Sequence, residues 1–442
     1  MKRKITQRLI DWKNRPDHKP LILQGARQVG KTYILEEFGR EHYKNYIKVS
    51  LDLVPDVRNF LKDNINPLEI IAYLETLYNE RIVPHETLVI LDEIQDCKRA
   101  LLALKYFQED YPQYDIVAAG SLLGVAVNQG NKPEEEFSYP VGKVDELRLY
   151  PMDFEEFLWA INMDVLAQDI RTHFNSNEAM PVSVHKMALD LYQRYLIIGG
   201  MPESVSKYVE THSFLECRTV QQSILVGYNA DMAKYAKPAT TVKIRACLNS
   251  IPAQLAKENR KFQYKLAQKG GTAKIFGEAI EWLILAGIVH KCKLISHGFI
   301  PISAQEDDSD FKIYMSDIGL LNTKAQMPAQ MLLNSIETDN TFLGSVAENY
   351  VAQALSANGI TLRYWKNDNT QEVEYILQDG MSVIPVEVKK GKKVDAISLN
   401  NFKKTYKCPF AYRISGKNFG FANEIKSVPL YAVFCIEAKE EV

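Results

Sequence analysis

An α/β fold with a parallel sheet is the class this sequence predicts, on three observations. Over the first 150 residues, short apolar runs alternate with helical patterns, the signature of strands joined by crossover helices. One of those runs, Leu88-Val89-Ile90-Leu91, is apolar throughout, as a strand covered on both faces must be. A glycine-rich turn follows another run and opens a helical stretch, giving the strand–loop–helix order of a phosphate-binding loop.

The elements follow in order. Strands are expected at 21–25, 46–52, 88–92, 115–120 and 144–149, and helices at about 30–39, 67–80 and 98–111. The loop is Gly25, Ala26, Arg27, Gln28, Val29, Gly30, Lys31 and Thr32. Its two glycines let backbone N–H groups turn inward, and the helix that follows adds partial positive charge. Lys31 would reach the β/γ-phosphates of ATP, and the Thr32 hydroxyl would ligate Mg2+. The strand at 88–92 ends in Asp92-Glu93, where ligands sit in open parallel sheets. Asp92 would hold Mg2+ opposite Thr32, and Glu93 would orient and deprotonate an attacking water. The same acidic pair also suits a turn cap. Ser121, in Gly120-Ser121 at the end of the next strand, is a candidate sensor of the γ-phosphate and equally ordinary turn chemistry.

At 442 residues, with 46% hydrophobic and 24% charged residues, the chain reads as a multidomain globular protein. A formal net charge of −2 gives no global attraction to nucleic acid, so any such contact must use a local patch. Six scattered cysteines without a C-x-x-C pair predict a reducing, cytoplasmic setting without a zinc site or disulfide framework. His290, Cys292 and His297 lack an evident fourth ligand. Ile5 to Trp12 is amphipathic rather than continuously apolar, so no signal peptide is expected. The longest apolar stretch, Trp282 to Val289, is too short to span a bilayer, so no membrane partner is expected.

Residues 153 to 235 are helical in pattern and are broken at Gly199-Gly200-Met201-Pro202. From 240 to 325 the order is three helices, strand, wing, strand. The third helix runs from Ala273 to Ala286, with Ile275, Phe276, Ala279, Ile280 and Leu283 as its buried stripe. A strand at 288–295, a wing through Gly298 and Asp307 and a return strand at 311–315 complete a pattern that resembles a winged helix. Lys257, Arg260, Lys261, Lys265, Lys269 and Lys274 form a local basic cluster there, suited to DNA phosphates or to a solvated packing face. The acidic wing argues for the second.

The C-terminal region predicts a helix from Phe342 to Leu355 and strands at 361–365, 372–377 and 383–389. Side chains two apart share a strand face, so Glu387 and Lys389 point one way and Val386 and Val388 the other, into the core. Glu372, Glu374 and Ile376 share a face of the preceding strand. Carboxylates on adjacent strands beside a lysine suit a Mg2+ ion and a water activated against a phosphodiester. The alternative is an exposed face of alternating charge.

In order, Gly25–Thr32, Leu91–Gln95, Gly120-Ser121, Pro151–Phe157 and Gly199–Glu203 resemble the motifs of predicted AAA-superfamily P-loop ATPases of bacteria and archaea. Relatives of that kind carry a helical lid, a winged helix and a C-terminal restriction-endonuclease-like domain of the DUF4143 type. The resemblance implies a P-loop ATPase core at 1–152, a lid at 153–238, a winged helix at 239–330 and a nuclease-like domain at 331–442. It implies ATP and Mg2+ as cofactors. It adds Glu348, the helical acid of the nuclease pattern, to Glu374 and Glu387-x-Lys389. Glu374 stands where Asp is usual. Gly142-Lys143 stands where the family has Gly-Arg, which argues against an arginine finger there and against a hexameric motor. The expected function is ATP hydrolysis coupled to a nuclease-like, nucleic-acid-interacting domain. The alternative is a nucleotide-gated switch with an inactive nuclease fold. Oligomeric state is left open.

Overall fold

The computed structural model describes residues 1–128, 139–338, 340–367, 371–391 and 397–437. Two compact units emerge: residues 2–150 with 285–287, and residues 151–284 with 288 onward.

The first unit is built on β1 (Leu21–Gln24), β2 (Asn45–Ser50), β3 (Thr87–Asp92), β4 (Asp115–Gly120) and β5 (Asp145–Arg148). They form one sheet in the order β2-β3-β4-β1-β5, every pair parallel. Strands β3 and β4 are buried along their whole length, which is why their sequences are apolar rather than alternating. Register places Gln24 beside Gly120 and Leu91 beside Ala118. The carboxyl ends of β1, β4 and β3 therefore lie side by side, with β4 between the other two. The helices Pro67–Tyr78 and Lys98–Asp110 cover β2 and β3 through a core that includes Ile70, Leu74, Leu101, Leu104 and Phe107. Pro67 sits in the first turn of its helix, and the Asn66 side chain accepts from the Leu68 N–H at 3.0 Å, a proline start with an asparagine cap. The amphipathic N-terminal segment becomes the helix Ile5–Asn14, burying Ile5, Leu9 and Trp12 at the i, i+4, i+7 spacing of one helix face.

The second unit opens on five helices between Phe154 and Tyr235. Asp153 and Glu156 form a reciprocal capping box at the first of them, satisfying two N–H groups the helix end leaves free. The helices Pro238–Leu255, Tyr264–Ala267 and Ala273–Leu285 lead into an antiparallel hairpin of β6 (Val289–Ile295) and β7 (Glu306–Met315). Ile275 is 43% exposed, outside the stripe expected for the third helix. The buried residues are Phe276, Ala279, Ile280, Trp282 and Leu283, and Ile275 stands in the first turn, ahead of them.

The remaining strands are β8 (Arg363–Lys366), β9 (Glu372–Val373), β10 (Tyr375–Asp379), β11 (Ser382–Val388), β12 (Ala411–Ser415), β13 (Gly420–Ala422) and β14 (Ile425–Pro429). Strand β8 pairs in parallel with β6, so the hairpin continues into a sheet of order β7-β6-β8-β9 that spans both sides of residue 330. A second sheet has the order β10-β11-β12-β14-β13. The chain crosses from one sheet to the other at Glu374. The single strand expected over 372–377 is thus two, with Glu372 on the first and Glu374 at the bend between them. Among the described residues no helix is long and apolar enough to cross a membrane.

Candidate functional site

At the end of β1 the loop turns tightly. A Cβ on Gly25 would stand 2.3 Å from the Leu149 carbonyl oxygen, so only glycine fits. Gln28 and Gly30 have φ of 65° and 92°, left-handed conformations that aim successive N–H groups into one concavity. Lys31 begins the helix Lys31–His42, and its ammonium donates to the carbonyls of Gly25 and Ala26 at 2.9 and 2.8 Å. The cation is thus held over the cradle. Arg3 supports the loop from outside, donating to the Val29 carbonyl at 3.0 Å and the Tyr150 carbonyl at 2.7 Å.

Across the sheet, the Thr32 hydroxyl donates to Asp92 Oδ2 at 2.8 Å. Sixty residues apart in sequence, these two side-chain oxygens are brought together. Glu93 follows in a left-handed conformation, φ 53°, an uncommon state for a non-glycine residue and one that clusters at functional sites. Burial pushes its carboxyl above the ordinary glutamate range, against the pull of the Gln95 amide and the Lys31 charge. Gln95 donates directly to Glu93. Ser121 is buried at the end of β4. A Cβ on Gly120 would lie 2.8 Å from Gln95 Oε1, so the Gly120-Ser121 turn packs against the Glu93–Gln95 pair. Lys143 pairs with Glu109 at 2.9 Å.

The cradle fits a nucleotide phosphate, and the Thr32–Asp92 oxygen pair fits a hard cation such as Mg2+. Sequence reasoning missed Arg3 and Gln95. The L-D-E-I-Q run carried a signal for Gln95, because a long amide two residues after the acid can reach back to it.

In the second unit Glu374, Glu387 and Lys389 converge. Lys389 Nζ lies 3.3 Å from Glu374 and 3.7 Å from Glu387. The Val388 N–H also donates to Glu374 at 3.3 Å, and Arg413 donates to Glu387 at 3.4 Å. Glu374 and Glu387 are buried, at 7% and 4% exposure, which rules out an exposed face of alternating charge. Glu348 lies on the helix Thr341–Ala357 and pairs with Arg260 at 2.7 Å. The Tyr314 hydroxyl donates to it at 3.3 Å. Burial raises the pKa of Glu348, opposed by the charges of Arg260 and Lys312, and raises that of Glu387, opposed by Lys389 and Arg413. Among the described residues no group of three or more His, Cys, Asp or Glu side chains is gathered to hold a metal.

Of the basic cluster, Arg260 turns inward, and the part-exposed Lys261 meets Asp310 at 2.5 Å. Lys257, Lys265, Lys269 and Lys274 are exposed.

Residues 17–158 match the family model described as an AAA domain. The first unit carries a AAA-type P-loop domain. Residues 343–433 match a domain of unknown function, DUF4143, and residues 189–331 another, DUF8612. The AAA domain therefore contains every loop and acidic residue of the phosphate cradle, and the DUF4143 domain contains Glu348, Glu374, Glu387 and Lys389. A comparison with curated proteins finds nothing that matches. Among solved structures, the chain is similar to the Walker-type ATPase PABY2304 of Pyrococcus abyssi at 15% identity and TM-score 0.43, covering 73% of this chain and 95% of that one. The RuvB Holliday junction branch migration motor of Thermotoga maritima matches at 15% identity and TM-score 0.28, covering 65% and 86%. AMPPCP-bound DnaA of Aquifex aeolicus matches at 13% identity and TM-score 0.26, covering 64% and 89%.

Proposed function

We propose that this chain binds ATP with Mg2+ at the Gly25–Thr32 loop and hydrolyses it, and that the nucleotide state governs the C-terminal domain. The observation that carries this reading is the Thr32–Asp92 hydrogen bond beside a cradled Lys31. Lys31 would move from the loop carbonyls to the phosphates. Thr32 and Asp92 would hold Mg2+, which neutralises phosphate charge. Glu93, released from Gln95, would orient the attacking water and take its proton at the carboxylate. Ser121, beside Gln95 at the end of β4, would sense the γ-phosphate.

The test is calorimetry of ATP binding. Lys31→Ala is expected to abolish it, and unchanged binding would sink the reading.

Three helices ahead of the β6–β7 hairpin support a winged-helix reading of 239–330. Its third helix exposes Lys274, Ile275, Glu278 and Glu281, a face with no net positive charge, which supports a packing role over DNA contact. In the C-terminal domain the ordered Glu348, Glu374 and Glu387-x-Lys389 support a restriction-endonuclease-like arrangement. Every one of those carboxylates has a cationic partner within the chain. That favours the second output, a nucleotide-gated switch in a nuclease-like fold that does not cleave.

A further inference from the structure

Four carboxylates are linked through charge in the C-terminal centre: Glu348 feels Glu374 and Glu372, and Lys389 joins Glu374 to Glu387. In a divalent-metal site the ion offsets such a concentration of charge. Here the chain supplies its own cations. The Arg260 guanidinium takes Glu348 through Nη1 at 2.7 Å. Its Nε donates to Ser345 Oγ at 2.8 Å, and that hydroxyl donates to the Leu255 carbonyl at 2.6 Å. Arg260 is therefore anchored twice on one helix face and tied back to the end of the helix before it. Lys389 sits between Glu374 and Glu387, and Arg413 completes Glu387. Lys312, fully buried, meets Glu372. Four cations balance four carboxylates. A divalent ion would have to displace Arg260 and Lys389 from carboxylates that are already buried, so the residues as arranged do not fit a metal.

We propose that Arg260 takes the cation's place in this centre. It acts as an ionic latch that fixes the segment 256–263 to the helix Thr341–Ala357, and the centre takes no divalent metal. The proposal deepens the switch reading of the domain and rests on it. A buried pair of this kind fixes position more than it adds stability. Removing one partner strands the other charge, whereas removing both does not.

The test has two arms, both on the full chain. In the first, Mn2+ is titrated into nucleotide-free protein carrying Asp92→Asn, which removes the acidic ligand of the P-loop. Binding is read by calorimetry and by the Mn2+ electron paramagnetic resonance signal. No saturable binding at millimolar Mn2+ is expected. One equivalent that disappears in Glu387→Gln overturns the proposal and, if accompanied by metal-dependent cleavage, the switch reading with it. In the second arm, thermal unfolding and trypsin cleavage at Lys257 and Lys261 are followed in Arg260→Gln, Glu348→Gln and the double variant. The latch predicts a lowered melting temperature and faster cleavage in Arg260→Gln, with a substantial part of the temperature recovered in the double variant. Arg260→Lys keeps the charge but loses one anchor, and an intermediate result is expected if Arg260→Gln fails to fold. Unchanged melting and cleavage in both Arg260 variants overturns the latch alone, leaving the switch reading in place.

Discussion

Glu93 is the residue on which hydrolysis depends in this reading. It is desolvated, left-handed in backbone and held by Gln95. Glu93→Gln is expected to keep ATP binding and to lower turnover by about 100-fold or more, the usual contribution of a positioned base; a steady-state ATPase assay checks this. Gln95→Ala should leave ATP affinity near wild type while changing turnover and shifting its acidic pH limb upward. The amide stabilises the carboxylate form of Glu93, so losing it raises the pKa further. A pH–rate profile that does not move would separate Gln95 from the reaction. Lys31, Thr32, Asp92 and Glu93 were legible in the sequence because the motif fixes their spacing and the strands fix their direction. Gln95 and Arg3 were not, since a flexible side chain has several backbone groups within reach and no periodicity reports which one it chooses.

At the scale of elements, the helix Thr341–Ala357 is the second unit's central support. Its sequence reads as apolar, yet Ser345, Asn349 and Gln353 are all buried on one face, at the i, i+4, i+8 spacing of a single stripe. Asn349 accepts from the Met315 N–H at 2.7 Å and donates to the Met315 carbonyl at 2.9 Å, standing in for a strand along the edge of β7. Gln353 accepts from the Ile318 N–H at 2.8 Å and donates to the Tyr195 hydroxyl at 2.9 Å. Asn349→Leu would leave two backbone groups unpaired, and a loss of about 2–4 kcal/mol in denaturant unfolding is expected. The Gly199-Gly200 turn has a similar logic. A Cβ on Gly200 would stand 1.9 Å from the Met152 carbonyl oxygen, and one on Gly199 would stand 2.5 Å from Asp317. Gly200→Ala should therefore destabilise the unit by on the order of 3 kcal/mol. The glycine motif was visible in sequence as a helix break, but its partners at Met152 and Asp317 lie far along the chain.

Over the whole molecule, two buried acid–base groups give each unit its own pH dependence. In the second, desolvation pushes Asp317 up to about 6, although backbone N–H groups of Gly200, Leu320 and Gly319 pull it down. Between the ordinary aspartate value and that point the folded chain holds a proton that the unfolded chain has released. Stability then falls as pH rises through this window. In the first unit, His18 is raised above its ordinary value, mainly by its hydrogen bond to Asp115. Its contribution is fully present below the unfolded value and is lost as pH rises through the folded one. Calorimetric unfolding from pH 4 to 8 should show both declines, the lower one flattened in Asp317→Asn and the upper one in His18→Gln. A profile that Asp317→Asn leaves unchanged would show that Asp317 does not titrate in that window.

Local pattern alone carried the α/β class and the five parallel strands, and it located the Gly25–Thr32 loop and the acidic pair Asp92-Glu93. Those features rest on local periodicity and fixed spacing, which backbone geometry converts directly into position. The same pattern predicted Glu387 and Lys389 on one strand, whereas the strand ends at Val388 and Lys389 follows it. Packing over long sequence separations set the rest: Glu374 falls at the bend where the chain leaves one sheet for the other, the hairpin at 289–315 continues into the C-terminal strands, and Arg260 is turned inward. Arg260 and Ser345 are 85 positions apart. Which of six clustered cations meets a buried carboxylate depends on how the helices pack, and burial makes that pairing obligatory once they do.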